Sequence, residues 1–180
     1  MLALFPMLTV LLGALVIVSD LHARRVPNAW LLSALLVAVI VQIAGMVTGE
    51  ARPLGPPLLG LVLGLAAMLP FHLYGWMGAG DVKFFATLGF LLGAPALLPV
   101  WMLGSLLAGA HAVLVLMSRD PRVACMPRIA WTRDRLTATA WWQRVLHARG
   151  GRAGLPYAAH LGVAAIIVAM HPSLIPWSVA

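Results

Sequence analysis

Charge is the scarcest property of this sequence: Asp, Glu, Lys and Arg together make up 9% of its 180 residues, where a soluble domain carries about 25%. That scarcity excludes an ordinary water-facing surface, and an apolar content of 62% assigns the chain to a membrane. At roughly 20 apolar residues per crossing of about 30 Å of hydrocarbon, the length accommodates about six spans, and no separate soluble domain is expected. Cysteine is nearly absent as well. Cys125 stands alone, which excludes an intrachain disulfide and a cysteine zinc cluster, and its place in an arginine-rich stretch points to a reducing compartment. The N-terminal apolar run has no Lys or Arg before it and no small-residue cleavage pattern at its end, so it reads as a retained span rather than a signal peptide.

The formal net charge of +7 raises the question of a nucleic-acid partner, and the placement of the arginines answers it. Arg24 and Arg25 share one short loop, and Arg119, Arg122, Arg128, Arg133, Arg135, Arg144, Arg149 and Arg152 share another. Both follow an apolar span, the distribution of cytoplasmic segments under the positive-inside rule, so the expected partner of this charge is anionic lipid and not nucleic acid.

Run length marks six spans, about 2–19, 30–48, 57–76, 82–98, 101–117 and 157–177, with a cytoplasmic loop over 118–156, all in one membrane-embedded domain. Turn signals separate them: Val26-Pro27-Asn28, the stretch 49–57 with Glu50 and Arg52, Gly78-Ala79-Gly80-Asp81, and Gly93-Ala94-Pro95 followed by Pro99. A fourth helix ending at Gly93 would be only about 18 Å long. If it did not cross, the two arginine loops would lie on opposite faces, so a crossing is expected, with a distortion near Pro95. Both termini are then external, and Asp20 and Asp81 share the cytoplasmic edge. Within the long inner loop, Ala138, Trp141, Trp142, Val145 and Leu146 recur at helical spacing, as in a helix lying at the headgroups.

Only five residues are acidic, and of these Asp20 and Asp81 stand directly at span ends on the same side. A carboxylate so placed costs a few kcal/mol if it lies deep, so it needs a reason. Two brought together supply one: an ionised and a protonated carboxyl can activate water and protonate an amide. The glycines Gly78 and Gly80 allow positive φ and close approach of a strand, and Asp81 is placed to cap the following helix. Lys83, two residues on, does not stack on the face of Asp81 and either snorkels to the headgroups or tunes that carboxylate. His72, His111 and His160 lie in or near three spans, as metal ligands or, more commonly for such residues, as hydrogen-bond partners between helices.

These residues resemble the type IV prepilin leader peptidases, especially the short members that accompany Flp-type pilus assembly. The resemblance is carried by Ser19-Asp20-Leu21 with Arg24-Arg25-Val26-Pro27-Asn28, by Pro70 leading to Gly78-Ala79-Gly80-Asp81-Val82-Lys83 and on to Gly89, and by Leu155-Pro156-Tyr157. It implies an all-α integral membrane protein of the bacterial inner membrane, with an aspartyl dyad of Asp20 and Asp81 at the cytoplasmic edge. Gly78, Gly80, Lys83, Arg24, Arg25, Pro27 and Asn28 are then supporting or substrate-binding residues. The implied reaction is endopeptidase removal of a short basic leader from a hydrophobic prepilin helix, with no metal and no cofactor. Larger members also N-methylate the new terminus through a region with paired cysteines, which this sequence lacks, so methyl transfer is not expected. The competing readings are a non-catalytic membrane component of a pilus or secretion assembly, and a small transporter using both aspartates as proton sites. Helix ends divide the proton roles: Asp81 at the start of a helix is expected as the base, and Asp20 at the end of one as the acid.

Overall fold

A backbone in hydrocarbon must satisfy its own N–H and C=O groups, and the apolar runs of this chain do so as helices. The computed structural model describes residues 4–49, 53–120, 131, 135, 137–150 and 154–175. Glu50, Arg52, Arg122, Cys125, Arg128, Arg133, Arg152 and the end of the last apolar run, with Trp177, lie outside the described residues. Seven α-helices are found among them: α1 Leu4–Ala23, α2 Asn28–Val47, α3 Gly55–Leu73, α4 Ala79–Leu92, α5 Ala94–Arg119, α6 Ala140–Arg149 and α7 Tyr157–Met170. One 3-10 turn, Pro172–Leu174, follows. Helices α1, α2, α3 and α5 are long and apolar enough to cross a membrane. At 14 residues each, α4 and α7 are about 21 Å long.

The long helices bury only a stripe. On α1 it consists of Thr9, Leu12, Gly13, Val16 and Asp20, and on α2 of Leu31, Ala34, Ala38, Gln42 and Gly45. Large apolar side chains such as Leu11, Leu36, Val62 and Leu106 face outward, a surface suited to lipid. Helix α4 is different, because Val82 and every residue from Phe84 to Leu91 are buried. It is the axis of the bundle, with α1, α2, α3, α5 and α7 all packed on it. A helix shielded in this way is enclosed by protein rather than hydrocarbon, so its short length leaves no lipid-exposed polar backbone.

The break after α4 falls at Gly93, not between residues 98 and 101 as run length suggested. Gly93 has φ 85° and ψ 162°, a conformation open to glycine and costly for other residues. Pro95 therefore lies in the first turn of α5, where a missing N–H costs nothing, and Pro99 is taken up inside that helix. Helix α6 forms over part of the segment expected to be helical. Thr139 caps it by accepting the Trp142 N–H at 3.4 Å, Val145 is its buried residue, and Arg149 Nη2 donates to the Leu21 carbonyl at 2.8 Å, tying α6 to the end of α1.

Glycines set the closest helix contacts. Helices α3 and α4 run antiparallel with Gly60 against Gly89 and Gly64 against Ala86. Helices α1 and α7 also run antiparallel, Gly13 lying against Gly162 and Ile166. This register brings the end of α1 and the starts of α2, α4 and α7 to one end of the bundle.

Candidate active site

At that end lies a cavity of about 800 Å³. Asp20, Arg24, Arg25, Pro27, Asn28, Gly78, Gly80, Asp81 and Lys83 all line it, together with Val26, Ala79, Leu155 and Tyr157. Every residue singled out from the sequence as catalytic or supporting is thus on one wall system. Asp20 is buried at 6% exposure, and its charge is felt at Asp81.

Each carboxylate is met by backbone donors. Asp81 is the third residue of α4 rather than a cap ahead of it, and its Oδ2 reaches back to accept the Gly78 N–H at 3.2 Å. The backbone N–H of Ala158 is a second donor to Asp81. Asp20 Oδ2 accepts the Ala159 N–H at 2.9 Å. Both donors from α7 belong to its first turn, where N–H groups have no partner within the helix. One helix N-terminus therefore serves both aspartates. Such an end favours negative charge, and for Asp20 it opposes the effect of the C-terminal end of α1. The sign of a helix end alone therefore does not divide the proton roles as expected from the sequence.

The glycines of this segment act through size, not through positive φ. Gly78 has φ −71° and Gly80 lies within the first turn of α4. A Cβ on Gly80 would stand 3.1 Å from Val26 Cβ, and one on Gly78 would stand 3.3 Å from Asp81 Oδ2. Their smallness lets the loop between α1 and α2 and the Asp81 carboxylate approach the backbone.

Lys83 Nζ donates to Asn28 Oδ1 at 3.3 Å, linking α4 to the start of α2. Arg24 takes φ 53°, a left-handed conformation just past the end of α1, and its Nη1 donates to the Gly154 carbonyl. Burial lowers the pKa of its guanidinium, the neighbouring Arg149 does so next, and Asp20 acts in the opposite direction. Arg24 nonetheless keeps its charge at neutral pH.

The three histidines do not converge. His72 Nδ1 is 3.0 Å from the Met77 carbonyl, whereas His111 Nδ1 is 3.0 Å from His160 Nε2. His160 Nδ1 lies 2.6 Å from the Pro156 carbonyl and must donate to it, so Nε2 is the acceptor and His111 the donor. No group of three or more His, Cys, Asp or Glu able to hold a metal is found among the described residues. The histidine relay fixes the residue that leads into Ala158 and Ala159. His160→Phe removes one donor and strands the His111 N–H, at a cost of about 1–3 kcal/mol. Its expected result is a lower midpoint of thermal unfolding in detergent, and an unchanged midpoint would show that the relay contributes nothing.

Sequence reading did not find the donors Ala158 and Ala159, because any non-proline residue carries an N–H. Pro156 ahead of an apolar run was the available signal of a helix start. Compared with known families, residues 7–113 match the model of the type IV leader peptidase family. No curated protein and no solved structure matches the chain.

Proposed function

The chain belongs to the type IV leader peptidase family, whose members are membrane-bound proteases, and from that premise we propose that it is an aspartic endopeptidase removing the leader of Flp-type prepilin-like proteins at the cytoplasmic face of the inner membrane. The observation that carries this reading is the joint placement of Asp20 and Asp81 on one cavity, each held by a backbone N–H. Two neighbouring carboxyls share a proton more readily than both ionise. The ionised one takes a proton from water, whose oxygen adds to the scissile carbonyl carbon. The protonated one supplies a proton to the leaving nitrogen as the C–N bond breaks. Atoms balance with water as the only co-reactant, and no acyl-enzyme forms.

Arg24, Arg25 and Lys83 on the same cavity make it a poor seat for the basic residues of a leader. It suits the peptide backbone around the scissile bond, with the basic residues toward the headgroups. Co-expression with candidate prepilins tests the function, read as the mobility shift of the shortened pilin. No shift with any pilin carrying a basic leader and an apolar helix would sink it.

The proposed topology has six crossings, in which this site faces the cytoplasm. Reporter fusions at Gly49 and Gly150 are then expected to give opposite signals, external and cytoplasmic respectively. Equal signals at the two positions would overturn that topology.

A further inference from the structure

The helix seams of this bundle are not alike. Between α1 and α7, a Cβ on Gly162 would stand 2.8 Å from Ile17 Cγ1 and 3.1 Å from the Gly13 carbonyl oxygen. Between α3 and α4, Gly60 and Gly89 touch backbone to backbone. Between α5 and α7, Gly104 is pressed against Leu161, and Ser105 Oγ lies 3.1 Å from Tyr157 OH. These seams are closed. Helices α2 and α3 each pack on α4, but a groove of about 280 Å³ separates them.

We propose that this groove seats the apolar helix of the peptide substrate, which slides in from the lipid between α2 and α3 and carries its scissile bond into the cavity. The proposal rests on the leader-peptidase reading above and adds to it the route and seat of the substrate. Its walls are Leu31 and Leu35 on one side and Leu61 and Leu65 on the other, over the small residues Ala86 and Thr87 of α4. A helix of leucines and alanines meets matching side chains there and a floor low enough to approach closely. Thr87 does not spoil the floor, since its hydroxyl is spent on the Lys83 carbonyl at 2.9 Å.

The groove adjoins the catalytic cavity. Asn28 and Lys83 line both, and the hydrogen bond between them stands at the threshold. A leader peptide crossing it changes from helix to extended chain, which leaves backbone groups without partners. Asn28 Oδ1 can accept the first free N–H groups of the substrate helix, and Lys83 Nζ can donate to carbonyls of the extended segment. The Lys83–Asn28 bond is exposed and links neutral amide to ammonium, so peptide groups can replace it at little cost. Lipid acyl chains are the other possible occupant of an apolar groove.

Photo-crosslinking distinguishes the two. A benzophenone amino acid replaces Leu35 or Leu65 in the Asp81→Asn protein in lipid nanodiscs, with Leu106, a lipid-facing residue of α5 at 70% exposure, as the control position. The probe is a synthetic peptide with a short basic leader followed by about 20 leucines and alanines, enough to span the bilayer. Adducts to the peptide are expected from positions 35 and 65 and not from 106. Adducts to lipid alone at 35 and 65, or peptide adducts equally strong at 106, overturn the proposal. In the active enzyme, Leu35→Trp and Leu65→Trp fill the groove and should raise KM for this peptide roughly tenfold or more with kcat unchanged. A peptide with the leader and scissile bond but no helix should be cut as before, and equal losses on both peptides would also overturn the groove. If the parent enzyme cuts neither peptide, the peptidase reading fails, while the crosslinks, which need no catalysis, still decide the seat.

Discussion

Asp20→Asn and Asp81→Asn are each expected to reduce leader removal by roughly 10⁴-fold or more, while the protein accumulates in the membrane as before. Asparagine keeps the size of aspartate and an oxygen that accepts the Ala159 N–H at position 20 or the Gly78 N–H at position 81. The change therefore deletes charge and acidity and little else. Because one carboxyl works on water and the other on the leaving nitrogen, the loss of either stops the reaction, and the double variant should be no worse than the singles. The measurement is the cleaved fraction of a co-expressed prepilin over time, with membrane levels followed by immunoblot. Cleavage at the parent rate in either variant would remove that residue from the mechanism.

The prominence of Asp20 and Asp81 was legible because carboxylates at the ends of apolar runs are rare and their reach is short. The sequence places both at span ends on one side, and the structure puts them on one cavity. The apolar runs themselves were readable as helices for a similar reason, since length and polarity leave few alternatives in lipid. What stayed hidden is whatever depends on which helices are neighbours. His111 and His160 lie far apart in the chain, and nothing in their spacing says that α5 and α7 touch. The donors to both aspartates come from the backbone of Ala158 and Ala159, whose side chains give no sign of it. The end of α4 was misplaced although Gly93-Ala94-Pro95 read as a turn signal: residues on both sides of Gly93 are equally hydrophobic, so run length carried the span past the residue whose φ of 85° ends the helix. The positive φ expected at Gly78 and Gly80 is not adopted, and their smallness also serves Asp81 Oδ2 and Val26, which the fold brings to them.

Gly89→Leu is expected to lower the unfolding midpoint sharply and to reduce the yield of folded protein. A Cβ at position 89 would stand 2.1 Å from the Gly60 carbonyl oxygen, and one at position 60 would stand 2.0 Å from the Gly89 oxygen. Overpacking in a core costs about 1–3 kcal/mol when side chains can turn away. Here the obstacle is backbone on both sides, so α3 and α4 must separate as rigid bodies. Helix α4 has no freedom to move, because Phe84, Phe85, Leu88 and Phe90 fill the centre of the bundle against its other neighbours. The cost therefore lies at or above the upper end of that range, roughly 3 kcal/mol or more, a large part of a total stability of about 5–15 kcal/mol. Gly89→Ala should be intermediate, with a lowered unfolding midpoint and reduced peptidase activity, because the same displacement shifts the helix that carries Asp81. Gly109→Ala is the control. A Cβ there meets nothing within 4 Å, so the substitution should leave the midpoint unchanged or raise it by the helix preference of alanine, about 0.5–1 kcal/mol. Thermal unfolding in detergent and the yield of intact protein from membranes measure both effects. A Gly89→Leu protein that melts with the parent would show that α3 and α4 do not meet at these glycines.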